Sequence, residues 1–117
     1  MGGGAALVTS LVGTGVPGSV DGAVVTATLS APRGLALEVT TGALLVAEGL
    51  RIRRLSPNGT HLTTLAGNGS AGLGDGAGTA TATFAAPRRL SFSATGLLLV
   101  ADTAAHVLRA LVPAPLA

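Results

Sequence analysis

One pattern is spelled twice in this chain. Thr9, Leu11, Gly13, Gly15, Gly18, Asp21 and Gly22 recur as Thr63, Leu65, Gly67, Gly69, Gly72, Asp75 and Gly76, each 54 residues later. After a one-residue insertion, "TATLSAPRGL" (26–35), with Pro32, recurs as "TATFAAPRRL" (81–90), with Pro87. "GALLVA" (42–47) then recurs as "GLLLVA" (96–101). A match of this length with only small indels is an internal repeat. A repeat confines the fold to architectures in which one supersecondary unit is stacked on the next.

Each copy has the same layout. A short β-like stretch, 7–13 or 61–67, leads into a Gly-rich loop that ends at Pro32 or Pro87. "GLALEV" (34–39) and "RLSFS" (89–93) alternate enough to be strands. A Thr-Gly turn follows, Thr41-Gly42 or Thr95-Gly96, and then "ALLVAE" or "LLLVAD". These are apolar on both faces, as a strand between two layers should be. "RIRRLS" (51–56) and "HVLRALV" (106–112) read as half-exposed strands, and "SPNG" (56–59) as a hairpin turn. No segment has a sustained helical period, though a single helical turn fits inside 77–85. Four strands in roughly 55 residues is the content of a β-propeller blade.

The string "TTLAGNGSAGLGDGAGTATATFAAPRRLSFSATGLLLVADTAAHVLRAL" resembles the NHL-repeat propeller family, whose blades carry a "LAG-G--G--DG-G--A-F--P-GLA-D--GNLYVADT-NHRIR-I" pattern. The resemblance runs from residue 7 to 112. It departs at Arg89, where the family has the Gly kept in the first copy as Gly34. It departs also at Glu48, which stands where the second copy has Asp102, and at Val107, where the family favours Arg. The first copy's "VAEGLRIRRL" is two residues shorter than its counterpart. The resemblance implies an all-β chain, a propeller segment of two four-stranded antiparallel blades. With the strands of a blade labelled a to d, the order is d-abc-d-abc, and 7–13 is a d strand. It also implies that Glu48 and Asp102 bind loop amides or pair with Arg53 and Arg109. Residues 1–6 are read as a flexible tail, 7–61 and 62–112 as the two repeats, and 113–117 as a second tail.

A closed ring needs about four to eight blades. The first d strand has no c strand before it, and the last c strand has no d strand after it. The expected partner is therefore a second copy, joined head to tail by strand complementation into a ring or a filament. The competing expectation is that further blades of a larger propeller complete the structure. The functional reading is a non-catalytic binding or assembly scaffold with a protein or glycan ligand. Its alternatives are a structural subunit of an extracellular filament and a fragment of a larger NHL-propeller enzyme.

Composition narrows the chemistry. With 117 residues, 10% charged and 48% apolar, the chain is one small folded unit. Its aromatics are Phe84 and Phe92, so Leu, Val and Ala must fill the core. All seven basic residues are Arg; five acids leave a net charge of +2. That is too sparse, and too poor in aromatics, for a nucleic-acid partner to be expected. There is no Cys, so thiol chemistry and disulfides are out. The N-terminus lacks a basic n-region, Ala6 breaks the myristoylation pattern, and the apolar runs fall far short of the ~20 residues of a span.

The candidate sites each have a structural reading. "GTGVPG" (13–18) and "GNGSAG" (67–72) match the spacing of a dinucleotide loop, but "LGDGAGTATATFAAP" cannot supply the helix that must follow. Glu38 stands near the required acid position in one copy and Ser93 in the other. Turn glycines account for both strings. Asp21 and Asp75 offer one carboxylate per loop, too few for calcium, and are read as Asx-type turn residues. Arg33, Arg88, Arg53 and Arg109 are read as inter-blade ion-pair partners. Arg51, Arg53 and Arg54 are divided between two faces by strand alternation. His61 and His106 lack ligand spacing, and no G-x-S-x-G elbow occurs. No catalytic residue, metal or cofactor is expected. Asn58 and Asn68 head N-x-[ST] sequons in loops, glycan acceptors if the chain is extracellular.

Overall fold

The computed structural model describes residues 4–76 and 81–112. The strands are β1 (Gly22–Ala23), β2 (Pro32–Glu38), β3 (Ala43–Glu48), β4 (Arg51–Leu55), β5 (His61–Ala66), β6 (Pro87–Phe92), β7 (Leu98–Asp102) and β8 (Val107–Leu111). They form two antiparallel sheets, one of five strands in the order β1-β5-β4-β3-β2 and one of three in the order β6-β7-β8. The first is a four-strand meander, β2 to β5, with the two-residue β1 added to the outside of β5.

Turn chemistry sets each reversal. Between β2 and β3, Gly42 takes φ +84° and its N–H donates to the Glu38 carbonyl (2.7 Å). Gly96 repeats this between β6 and β7 with φ +92°, donating to Ser93 O (3.1 Å). The β4–β5 hairpin closes through Gly59 N–H to Ser56 O (2.8 Å). The two-residue length difference between the copies is taken up in the connection that follows β3 and β7: β7 and β8 are joined by a 3-10 turn, Thr103–Ala105, closed by His106 at φ +58°.

The main core lies between the sheets. Leu45, Ala47, Ile52 and Ala66 of the first meet Leu98 and Val100 of the second, with Phe84 between them. A second cluster, Ala27, Leu55 and Leu62, fills the opposite face of the first sheet beneath the 20–31 segment. The sheets approach most closely where β2 meets β6. A Cβ placed on Gly34 would collide with the Arg88 carbonyl oxygen, so only glycine fits there.

Repeat-equivalent residues differ in exposure. Leu45 is 0% exposed and its counterpart Leu99 is 41%. Ile52 is 0% exposed and Leu108 is 85%. Leu90 and Phe92 pack on the core while their counterparts Leu35 and Leu37 are exposed. The expectation of a central strand covered on both faces therefore holds for β3. For β7, the face bearing Leu99 has no layer over it.

Two further expectations differ. Residues 7–13 are not a strand; Leu7, Val8 and Leu11 stand exposed. Their counterparts 61–66 are ordered by bonding to β4, and no described strand lies beside 7–13. A strand without a partner has no ladder to make. The second sheet consequently has three strands instead of four. The helical turn expected inside 77–85 falls partly on 77–80, outside the described residues; 81–85 are not helical, and Phe84 makes a parallel bridge to Ala71. The tail 113–117 also lies outside the described residues.

Replacing Gly34 with Ala is expected to lower stability by about 1–3 kcal/mol in urea unfolding, because the Cβ must push β2 from β6. Gly4→Ala, where a Cβ meets nothing within 4 Å, is expected to change stability by less than about 0.5 kcal/mol.

Candidate functional site

The most elaborate polar geometry is built twice, around Arg53 and Arg109. Arg53 projects from β4 and is fully buried. Its Nη1 donates to Glu48 Oε1 (2.6 Å) and to the Thr28 carbonyl (2.9 Å). Its Nη2 donates to Asp21 Oδ1 (2.7 Å) and the Val20 carbonyl (3.1 Å). Glu48, at the end of β3, also accepts from Ser30 N–H (3.1 Å) and Ser19 Oγ (3.3 Å). Asp21 accepts a further bond from Thr64 Oγ1 of β5 (2.9 Å). One guanidinium thus fastens the long Gly-rich loop to three strands.

The second unit reproduces the clamp. Arg109 on β8 donates to Asp102 Oδ2 (3.2 Å), Thr83 O (2.9 Å), Asp75 Oδ1 (2.9 Å) and Gly74 O (2.9 Å). Asp102 accepts from the Ala85 and Ala86 amides, the latter at 2.6 Å. Phe84 adds a cation–π contact at 5.1 Å, where the first copy has Leu29. The second clamp is the more open of the two. Asp21 has 47% of its side chain exposed and Asp75 has 92%; no described residue bonds Asp75 as Thr64 bonds Asp21. Beside Arg109 and Phe84 lies an open groove of about 970 Å3, floored by Val100 and flanked by Leu73, Leu108 and Leu111.

These clamps are structural fasteners. Each guanidinium is committed to two carboxylates and two carbonyls, and of the Arg53 nitrogens only Nε lacks a partner. A substrate would find no free donor pair there. The pairing of Arg53 with Glu48 and of Arg109 with Asp102 agrees with what the resemblance implies. Two other expectations are corrected. Asp21 and Asp75 bind guanidinium groups, since a positive charge within reach outcompetes a neutral amide. The Arg53 and Arg109 ion pairs lie within one sheet and its own loop, not between sheets. Arg33 and Arg88 make no ion pair among the described residues; both are exposed.

The remaining candidates are dispersed. Arg51 reaches the Asn68 carbonyl (3.5 Å) and Arg54 reaches Glu38 (3.4 Å), so the "RIRR" run is not a basic patch. The glycine motif repeats its conformation as well as its spelling: Gly13 and Gly67 have φ of +105° and +96°, Gly15 and Gly69 +89° and +90°, Gly22 and Gly76 +132° and +144°. Gly18 and Gly72 each abut a threonine, Thr28 or Thr83. Asn58 and Asn68 are exposed, and each Oδ1 caps its own turn, accepting from Thr60 N–H (3.2 Å) and Ser70 N–H (2.9 Å). His61 and His106 are exposed and lie in no cluster; among the described residues no group of three metal-ligating side chains occurs. No described helix is long and apolar enough to cross a membrane.

No protein-family model matches this chain, and no curated protein does either. Among solved structures it is similar to an auxiliary nutrient binding protein from Bacteroides thetaiotaomicron VPI-5482, with a TM-score of 0.74 and 24% identity. The match covers 86% of this chain and 27% of that one. The chain thus shares its all-β fold with about a quarter of that protein.

Because Arg53 is buried with Glu48, Arg53→Ala leaves that carboxylate enclosed without its counter-charge. It is expected to cost about 3–5 kcal/mol in urea unfolding. Arg109→Ala also leaves Asp102 enclosed, but Asp102 keeps its bonds from the Ala85 and Ala86 amides and Asp75 is already in water, so it is expected to cost markedly less in the isolated chain.

Proposed function

We propose that this chain is a two-blade segment of NHL type that serves as a non-catalytic binding and assembly scaffold, joining head to tail by strand complementation. The observation that carries the reading is the difference between repeat-equivalent residues. Within the chain, β5 lies on β4 with Leu62 opposite Leu55, Thr63 opposite Arg54, Thr64 opposite Arg53 and Ala66 opposite Ile52. Transferred to the second sheet, that register sets Val8 of a second copy opposite Leu111, Thr9 opposite Ala110, Ser10 opposite Arg109 and Val12 opposite Leu108. Ser10 then stands beside Asp75 as Thr64 stands beside Asp21. The apolar groove and the free edge of β8 take one strand, and residues 7–13 are an unpaired segment with the β5 pattern.

The exposed sheet faces fit the same joint. Leu99 and Leu108 are open on one sheet and Leu35 and Leu37 on the other; their counterparts pack across the internal interface. Covering the exposed part of each such side chain contributes on the order of 1 kcal/mol, and more for Leu108. A ring of about six blades takes three copies, and an unclosed rotation gives a filament.

A second reading has one observation in its favour. The chain spans about a quarter of the nutrient binding protein it is similar to, so further blades of a longer protein are the other source of the missing strand. In either case the loops at the strand ends would carry the ligand surface.

Light scattering on the intact chain at high micromolar concentration tests the proposal. Defined multiples or a growing polymer are expected, and removal of residues 1–13 is expected to give a monomer with an unchanged circular dichroism spectrum. A stable monomer of the intact chain overturns self-association in favour of the longer-protein reading.

A further inference from the structure

We infer that Arg33, Arg88 and Arg89 form a site for a multiply charged oxyanion of the phosphate type. The three arginines line one cleft of about 380 Å3 with Ala101 and Thr103, at the junction of β2 and β6. Their convergence follows from the backbone. In β2, Pro32 is opposite Glu48 and Gly34 opposite Ala47, so Arg33 is the extra residue of a β-bulge. In β6, Pro87 is opposite Asp102 and Arg89 opposite Ala101, so Arg88 is the extra residue of the equivalent bulge. A bulge re-aims the side chain it carries. The close approach of Gly34 to the Arg88 carbonyl brings the two bulges together. Arg89 replaces the glycine of the first copy, adding a third charge at a position where the repeat pattern calls for none.

Among the described residues no side-chain carboxylate remains to neutralise them. The chain has five acids. Asp21 and Glu48 are bound to Arg53, Asp75 and Asp102 to Arg109, and Glu38 to Arg54. Glu48 and Asp102 stand at the same strand ends as the three arginines, yet both are turned into the clamps and saturated there by amides. Arg33, Arg88 and Arg89 make no hydrogen bond or ion pair to any described residue, and all three are exposed. Like charges gathered by backbone geometry, without an internal counter-ion, create a positive field that a compact anion relieves. The planar fork of arginine matches the oxygens of phosphate in paired hydrogen bonds. The seat suits a free phosphate or the phosphate group of a small organic molecule. It is shared by the two sheets and does not depend on the scaffold reading above.

The experiment is calorimetric titration of the intact chain with inorganic phosphate, at constant ionic strength set with chloride, and with glucose 6-phosphate and glucose in parallel. Saturable phosphate binding is expected. Arg33→Gln and Arg88→Gln are each expected to weaken it about tenfold or more, as loss of a hydrogen bond to a charged group does. Arg33→Lys should weaken it less, and Arg51→Gln, on β4, should leave it unchanged. Tighter binding of glucose 6-phosphate than of phosphate, with none of glucose, identifies an organic phosphate as the ligand; equal binding identifies the free ion. The Arg33 side chain is exposed and makes no hydrogen bond or ion pair to a described residue, so its replacement is expected to leave folding intact even if the Arg88 variant misfolds. Phosphate binding that does not saturate, or that is equal in wild type and the Arg33 variant, overturns the site. So does binding of a single-stranded oligonucleotide with no binding of phosphate. Light scattering on the same samples reads the assembly state separately.

Discussion

The buried guanidinium of Arg53 holds the first unit together. The Gly-rich segments before Pro32 and Pro87 are long, poor in regular structure and costly to order. A loop of that kind is fixed when its backbone carbonyls find strong donors, and one arginine presents enough donors to fix it at several points. Val20 and Thr28 in the first unit, Gly74 and Thr83 in the second, are the carbonyls used. The acids then balance the charge that the carbonyls alone could not. Removing water from Arg53 is tolerable because both of its terminal nitrogens are bound to a carboxylate and a carbonyl. The apolar cluster of Ala27, Leu55 and Leu62 forms beneath the loop so fastened.

The second unit shows what the clamp requires besides its own residues. Its arginine, acids and carbonyls are all present, yet Asp75 stands in water and Leu108 lies bare. The difference is one strand. In the first unit β5 supplies Thr64 to Asp21 and covers the clamp from outside. A meander of three strands leaves that side open. The contrast between two copies of one pattern in one chain is an internal control. It locates where a further strand would pack, and it motivates the proposed joint between copies.

Much of the local structure was legible in the chain order of residues. The strand "ALLVAE" is β3 with the same ends, and the turns at Gly42, Gly59 and Gly96 fall where Thr-Gly and Pro-Asn-Gly place them. Alternation, turn residues and short apolar runs are local signals, and hairpins are made from local contacts. The stretch "LVTSLVG" has the same pattern as "HLTTLAG" yet forms no strand within this chain. Pattern reports the capacity to pair and is silent on whether a partner is there. The roles of Asp21 and Asp75 were missed for a related reason. A turn aspartate and an arginine more than thirty residues away carry no joint signal except that both recur in step in the two copies.

The sequence by itself therefore determined the period, the strands and their hairpins, the glycines that turn the chain, and the absence of thiol chemistry. Those properties follow from residue type and short spacing. Only the tertiary structure decided which copies of equivalent residues are buried, that four carboxylates are committed to two arginines, and that Arg33, Arg88 and Arg89 are left together without a counter-ion. Each of these depends on which strand lies beside which and on how closely two backbones approach. Gly34 is the clearest case: its neighbour, Arg88, is 54 positions away, and only packing of β2 on β6 makes a missing side chain matter.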